Sequence, residues 1–163
     1  MKLYRIVLAI VLMACSMEVY PQSEEGANTI PYFTFYKLNK EPFVRDSISN
    51  SLKKLFFYFN SECNHCQKQA KWLSRRMNSN PELYKNLQMI FVSFEEMNAI
   101  AAFKEKYNFN KNNCIFLQDS RVTFDDKFEV NSAPSILIFS KDNKLIKKFE
   151  GEVKMNILLP YID

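Results

Sequence analysis

Two cysteines separated by two residues, Cys63 and Cys66, are the residues of this sequence best suited to chemistry. A thiolate attacks a disulfide sulfur to form a mixed disulfide, and a second thiol one helical turn along can displace that partner by closing an intramolecular disulfide. His65, the single histidine of the chain, lies between the cysteines, where a partly charged imidazole favours a thiolate at Cys63. The three residues predict thiol–disulfide exchange, with Cys63 as the attacking or attacked sulfur, Cys66 as the resolving thiol and His65 as the tuning group.

A buried strand and a helix must hold this pair in place. Residues 55–59 form an unbroken aromatic and apolar run of strand length, and residues 60–62 form a short polar turn. After the turn, apolar and basic side chains separate onto two sides of a predicted helix. The apolar side carries Cys66, Ala70, Leu73 and Met77, and the basic side carries Lys68, Lys71, Arg75 and Arg76. The first turn of a helix leaves backbone N–H groups unpaired, and these groups stabilise a thiolate placed there.

At these residues the sequence resembles the thioredoxin superfamily, and within it the exported TlpA/ResA-like branch. Residues 31–44 are similar to the N-terminal hairpin pattern P-x-F … L-x-G-K-P-V of that branch, and residues 130–139 are similar to its V-x-x-x-P-T-x-x-x-I segment. In the family the proline of this segment is cis and faces the cysteines. The resemblance therefore implies that Ala133 and Pro134 line the groove where the backbone of a substrate strand pairs.

The order of predicted elements gives the fold class. Strand, helix, strand, helix, then two strands and a helix predict an α/β, thioredoxin-like three-layer sandwich with a mixed central sheet and an N-terminal hairpin extension. A brief helix, capped by Asp119 or Ser120 and running to about Val130, precedes the last strand pair. Pro160 is expected to stop or kink the terminal helix. The other predicted strands are residues 30–38, 87–94, 114–117, 135–139 and 145–149, and the other predicted helices are residues 98–107 and 152–161.

The first fourteen residues have the anatomy of an export signal. Basic residues precede an apolar run at residues 6–13, which is too short to span a bilayer as a permanent helix. Residues 12–15 resemble a bacterial lipobox that ends at Cys15. We expect Cys15 to be lipidated after cleavage, and the alternative is an ordinary cleaved signal peptide with a passenger cysteine.

The chain then divides into a signal peptide at residues 1–14, a polar flexible tether at residues 15–29 and a thioredoxin-like domain at residues 30–163. Export and lipidation predict a membrane-anchored lipoprotein of the cell envelope that faces the periplasm, a compartment where disulfides persist. The expected partners are protein thiols and disulfides, a membrane electron-donor protein, and the membrane through the lipid anchor. No organic cofactor is expected, because the dithiol is the redox agent. The 22 basic and 18 acidic residues are scattered, which argues against a nucleic-acid partner.

The same cysteine spacing serves zinc and haem sites, which the rest of the sequence does not complete. A structural zinc ion needs four ligands, and only the two cysteines, His65 and the distant Cys114 are available. Haem attachment requires a histidine directly after the second cysteine, where Gln67 stands. Cys114, at the start of a predicted strand, is expected to be a half-buried structural thiol.

Three positions depart from the family pattern. Glu62 replaces the tryptophan before the first cysteine, Phe57 falls near the buried acidic group of many thioredoxins, and Gln69 replaces a glutamate common in the TlpA-like branch. These departures leave the proton acceptor for the second cysteine open. The remaining candidates are His65, water, Glu95 and Glu96.

Two other functions stay open at this point. A thioredoxin-fold lipoprotein can serve as a non-catalytic binding or assembly module whose disulfide is only structural. A thiol peroxidase of related fold would carry a threonine three residues before the reactive cysteine, where Asn60 stands. The direction of exchange, whether oxidation, reduction or isomerisation, does not follow from the residues.

Overall fold

The computed structural model describes residues 28–162, apart from the side chain of Leu83. The predicted signal segment at residues 1–14, the predicted lipidation residue Cys15 and the tether as far as residue 27 lie outside the described residues. Asn28, at the end of the predicted tether, already takes part in the fold, because its carbonyl oxygen accepts a hydrogen bond from Leu145 N–H at 2.7 Å.

Within residues 28–162, seven strands and four α-helices are present. The strands are β1 (Thr34–Lys37), β2 (Pro42–Val44), β3 (Lys53–Tyr58), β4 (Leu87–Ser93), β5 (Cys114–Gln118), β6 (Ser135–Phe139) and β7 (Leu145–Glu150). The helices are α1 (Asn64–Ser79), α2 (Met97–Lys106), α3 (Phe124–Phe128) and α4 (Met155–Ile162), and short 3₁₀ helices cover Arg45–Ser47 and Pro81–Tyr84. None of the described helices combines the length and the apolar character needed to cross a membrane.

The strands form one mixed sheet in the order β2-β1-β5-β4-β3-β6-β7. The central strands β3, β4 and β5 are parallel, whereas β6 runs antiparallel to β3. Helices α1 and α2 form the crossover connections, so that β3, β4 and β5 all begin at the same end of the sheet, as parallel pairing requires. The carboxyl ends of β3, β4 and β5 and the beginning of β6 therefore meet at one edge, where the site described below lies.

The two faces of the sheet bury separate apolar clusters. Alternate residues of β3 point to opposite faces, with Phe57 in one cluster and Phe56 in the other. Helices α1, α2 and α4 cover the Phe57 face, whereas α3 and the N-terminal hairpin cover the Phe56 face. The predicted three-layer sandwich with a mixed sheet and an N-terminal hairpin is confirmed.

Helix α3 begins later than the sequence predicts. The carboxylate of Asp119 accepts hydrogen bonds from the backbone N–H groups of Thr123 at 2.6 Å and Phe124 at 2.8 Å. The predicted capping residue therefore binds the helix entrance across an intervening turn, in which Val122 has a φ of 51°. Because that left-handed residue interrupts helical geometry, α3 covers only Phe124–Phe128.

Helix α4 also starts later than predicted, because the segment after β7 is used for other contacts. Gly151 N–H donates to the carbonyl oxygen of Pro134 at 2.8 Å, and Val153 N–H donates to Oε1 of Gln69 at 2.7 Å. Gly151 has a φ of 82°, in the left-handed region that glycine adopts readily. Pro160 lies inside α4 and does not stop it, since the helix continues to Ile162.

Candidate active site

The two cysteines occupy different environments at the start of α1. Cys63 is the N-cap residue and is half-buried, whereas Cys66 lies one helical turn further along and is fully buried. The two sulfurs are not joined in this structure. Sγ of Cys66 accepts a hydrogen bond from the backbone N–H of Asn60 at 3.5 Å, so the turn before α1 contacts the buried sulfur.

Burial raises the pKa of the Cys66 thiol to about 12. The hydrogen bond from Asn60 N–H acts in the opposite direction, and the Cys63 and Glu95 side chains raise the Cys66 pKa further. At neutral pH Cys66 is therefore a protonated thiol behind Cys63, and it must lose its proton before it can act as a nucleophile. This asymmetry agrees with the division of roles that the sequence predicts.

The loop before β6 lies against the exposed cysteine. The peptide bond between Ala133 and Pro134 is cis, as the sequence predicts. The Cys63 thiol donates to the carbonyl oxygen of Ala133 with an S-to-O distance of 3.9 Å. Ser135 follows at the start of β6 and is paired with Tyr58 at the end of β3. The fold thus brings together three of the predicted site residues, Cys63, Ala133 and Pro134.

Glu95 holds the turn between β3 and α1. Its Oε2 accepts the Ser61 N–H at 2.7 Å, and its Oε1 accepts the Ser61 hydroxyl at 2.6 Å. The Ser93 hydroxyl, at the end of β4, donates to Oε2 at 3.0 Å. Because Asn60 in the same turn contacts the Cys66 sulfur, Glu95 positions the backbone beside the buried thiol. The sequence indicates this location because Glu95 directly follows the strand predicted at residues 87–94.

Comparison with known proteins identifies the family. A family model described as a thioredoxin-like domain matches residues 44–163. The chain belongs to the thioredoxin-like domain family. The superfamily that the sequence resembles is therefore confirmed. No protein with a curated description matches this sequence.

Solved thioredoxin-like structures share the architecture at low sequence identity. A secreted disulfide oxidoreductase of Mycobacterium tuberculosis, described as homologous to Escherichia coli DsbE, is 19% identical with a TM-score of 0.65, and the match covers 80% of this chain and 93% of that one. A thiol-disulfide oxidoreductase from Bacteroides fragilis is 15% identical with a TM-score of 0.66, covering 81% and 95%. StoA from Bacillus subtilis is 11% identical with a TM-score of 0.63, covering 83% and 99%. At these identities the structures show a common fold.

Gln69 of this thioredoxin-like chain lies on α1, at the position where the TlpA-like pattern implies a glutamate. Gln69 is fully buried, and its Oε1 accepts the Val153 N–H at 2.7 Å. Its Nε2 has no hydrogen-bond partner among the described residues. Gln69 therefore connects α1 to the segment after β7. Phe57, which falls near the family's buried acidic group, packs its ring against those of Phe59 and Phe91 and offers no proton acceptor.

Of the other candidate acceptors, Glu95 is the one close enough to influence the Cys66 pKa. The His65 ring is exposed, and its Nδ1 lies 3.1 Å from Oε2 of Glu152. Glu152 also binds Lys68 at 2.7 Å. The hydrogen bond from Lys68, and to a smaller extent the one with His65, lowers the Glu152 pKa. Sequence reasoning missed Glu152, because no motif marks it. Glu96, at the start of α2, is exposed.

Cys114 is a half-buried thiol on β5, as predicted. It is the first residue of β5 and pairs with Met89. Cys114 therefore lies at the amino ends of the parallel strands, whereas Cys63 lies near their carboxyl ends. Burial raises its pKa to about 12. Residues 28–162 contain no group of three or more His, Cys, Asp or Glu side chains arranged to hold a metal ion.

The hydrogen bonds of Glu95 predict that Glu95→Gln destabilises the protein by about 1–3 kcal/mol, because an amide NH₂ cannot accept from Ser61 or Ser93. Urea unfolding of the reduced protein measures this loss. The matched control, Glu96→Gln, changes the exposed neighbour and should stay within about 0.5 kcal/mol of the parent. Equal effects of the two substitutions would show that the Glu95 contacts contribute no special stability.

Proposed function

We propose that this protein is an extracytoplasmic thiol–disulfide oxidoreductase that exchanges disulfides with protein substrates through Cys63 and Cys66. The observation that carries the proposal is the position of the half-buried Cys63 at the N terminus of α1, 3.9 Å from the Ala133 carbonyl oxygen, with the buried Cys66 one turn behind it. The backbone N–H groups of the first helical turn stabilise a thiolate at Cys63.

In the reducing direction, the Cys63 thiolate attacks one sulfur of a substrate disulfide. The S–S bond of the substrate breaks, a mixed disulfide forms, and one substrate thiolate leaves. Cys66 then loses its proton and attacks the Cys63 sulfur, which closes the Cys63–Cys66 disulfide and releases the second substrate thiolate. Two electrons pass from the protein to the substrate. The reverse sequence oxidises a substrate dithiol.

The proton of Cys66 needs an acceptor, because burial raises the pKa of that thiol to about 12. Glu95 supplies this acceptor. Its carboxylate binds the turn that contacts the Cys66 sulfur and acts electrostatically on that thiol. The described contacts of Glu95 include no direct hydrogen bond to Cys66, so proton transfer between these two groups requires an intervening water.

The loop at Ala133 and Pro134 presents the substrate backbone to Cys63. Proline has no N–H, so Ala133 offers the backbone groups that can pair with an extended polypeptide on this side of the sulfur. His65 tunes the Cys63 thiolate from the second position of α1, where its exposed ring contacts Oε2 of Glu152 at 3.1 Å. A membrane electron-donor protein regenerates the dithiol.

Two observations support a location outside the cytoplasm. Residues 1–15 carry the pattern of a lipoprotein export signal, and a similar structure belongs to a protein described as secreted. Lipidation at Cys15 anchors the domain to the membrane through the polar segment that follows.

Reduction of insulin by dithiothreitol tests the activity. The parent and Cys114→Ser should accelerate insulin precipitation, whereas Cys63→Ser should fall to the uncatalysed rate because the nucleophile is lost. Cys66→Ser should accumulate a mixed disulfide with insulin, visible by non-reducing electrophoresis. An inactive parent with a Cys63–Cys66 potential below about −300 mV, the range of structural disulfides, would instead support the non-catalytic module.

The proposed role of His65 predicts a slower reaction of Cys63 with iodoacetamide near neutral pH in His65→Ala. The pH midpoint of the rate should rise, because the imidazole that the proposal places as the tuning group of the thiolate has been removed. Asn64→Ala, which changes the adjacent exposed and neutral side chain, is the control and should keep the parent midpoint. An unchanged midpoint in His65→Ala removes the tuning role.

Lipidation predicts that Cys15→Ala moves the protein from the membrane fraction to the soluble fraction of lysed bacteria. The acyl chains that hold it are attached through the Cys15 position. Immunoblotting of the fractions measures the change, with Cys114→Ala as a cysteine control that stays in the membrane fraction. Retention of Cys15→Ala in the membrane would mean that another anchor is present.

A further inference from the structure

A basic groove runs along α1 away from Cys63. It has a volume of about 570 Å³ and lies between α1 and the end of α2. Among the described residues, four cationic side chains line it, and no aspartate or glutamate does. The cations are Lys68, Lys71, Arg75 and Lys106. We call this feature the basic groove.

The basic groove begins beside the redox pair. Asn64, which directly follows Cys63, lines one end, and Arg75 lies further along the same helix. At 1.5 Å of rise per residue the two positions are about 16 Å apart along the axis. An extended polypeptide rises about 3.3 Å per residue, so a segment of about five residues spans the groove.

Most of the charge in the basic groove is not neutralised by the protein itself. Lys68 is bound to Glu152 at 2.7 Å. Lys71, Arg75 and Lys106 form no ion pair with a carboxylate in the part of the chain that the structure describes. Lys106 instead lies over the Tyr107 ring, with its Nζ 5.5 Å from the ring centroid. Like charges on neighbouring elements repel one another, so an anionic occupant would relieve that repulsion.

We propose that the basic groove selects protein substrates that carry acidic residues within about five positions of the reactive cysteine. This inference rests on the proposed function and names its substrate class. A substrate sulfur in contact with Cys63 places the adjoining polypeptide at the Asn64 end of the groove. Acidic side chains that follow then meet Lys71, Arg75 and Lys106, which raise the rate of encounter and orient the segment.

Three synthetic peptides of equal length test the proposal. Each has one cysteine in a mixed disulfide with 2-thiopyridine, and attack by the reduced protein releases pyridine-2-thione, which is followed by absorbance. The first peptide has glutamates directly after the cysteine, the second has the same glutamates beyond a neutral spacer longer than the groove, and the third has glutamines. Rates with dithiothreitol correct for the intrinsic reactivity of each peptide.

At low salt, the first peptide should react about tenfold faster than the glutamine peptide, within the range of electrostatically steered association. The second peptide should lose most of that advantage, and added salt should reduce it further. In the variant Lys71→Gln/Arg75→Gln/Lys106→Gln the ratio of the first to the third peptide should fall to about one. Circular dichroism establishes that this variant is folded.

A matched variant removes the same charge elsewhere. Lys127→Gln/Lys141→Gln/Lys144→Gln changes exposed lysines on α3 and in the turn between β6 and β7, and it should keep the parent ratio. Equal rates for the first two peptides would overturn the proposed selection by the basic groove, because net charge alone would then explain the preference. An equal fall of the ratio in both variants would overturn it for the same reason. A ratio near one in the parent would overturn it as well. Failure of all three peptides to react would overturn the proposed function, and the inference with it.

Discussion

The pairing of β3 with a parallel neighbour on one side and an antiparallel neighbour on the other sets the geometry of the site. Parallel pairing with β4 brings the turn after β3 close to the residues after β4, and Glu95 can then bind Ser61. Antiparallel pairing with β6 begins at Tyr58 and Ser135. That register puts the Ala133 carbonyl oxygen beside the Cys63 sulfur. The aromatic side chains of β3 hold the strand between two apolar clusters.

Burial then separates the chemical roles of two identical side chains. Cys63 remains accessible at a helix terminus, whereas Cys66 is withdrawn into the cluster below it. Taking a thiolate out of water costs free energy, and this cost favours the protonated thiol at Cys66. One helical turn is enough to leave the Cys63 sulfur accessible to solvent and to bury the Cys66 sulfur. The nearby carboxylate of Glu95 adds to the same effect.

The sequence was informative where a property depends on neighbours along the chain. The apolar run of β3, the cysteine spacing and the proline before β6 are local patterns, and they predicted the sheet, the helix and the loop that meet at the site. Contacts between distant residues were not accessible. The His65–Glu152 pair joins positions 87 residues apart, and the Gln69–Val153 hydrogen bond joins positions 84 apart. Helix α4 is predicted to begin too early for the same reason, since its predicted first turn contacts α1 through Glu152 and Val153. Lys106 joins the cations of α1 only through the packing of α2.

The segment from Gly151 to Val153 has a consequence for how this family member can vary. Its first and last residues donate backbone N–H groups to Pro134 and to Gln69, and a backbone donor is supplied by any residue except proline. Evolution could therefore exchange the side chain of Val153 without removing either link. An insertion or deletion is different, because it would move one donor out of reach of its acceptor. The length of the connection between β7 and α4, more than its composition, therefore maintains the position of α1 relative to the loop at Pro134.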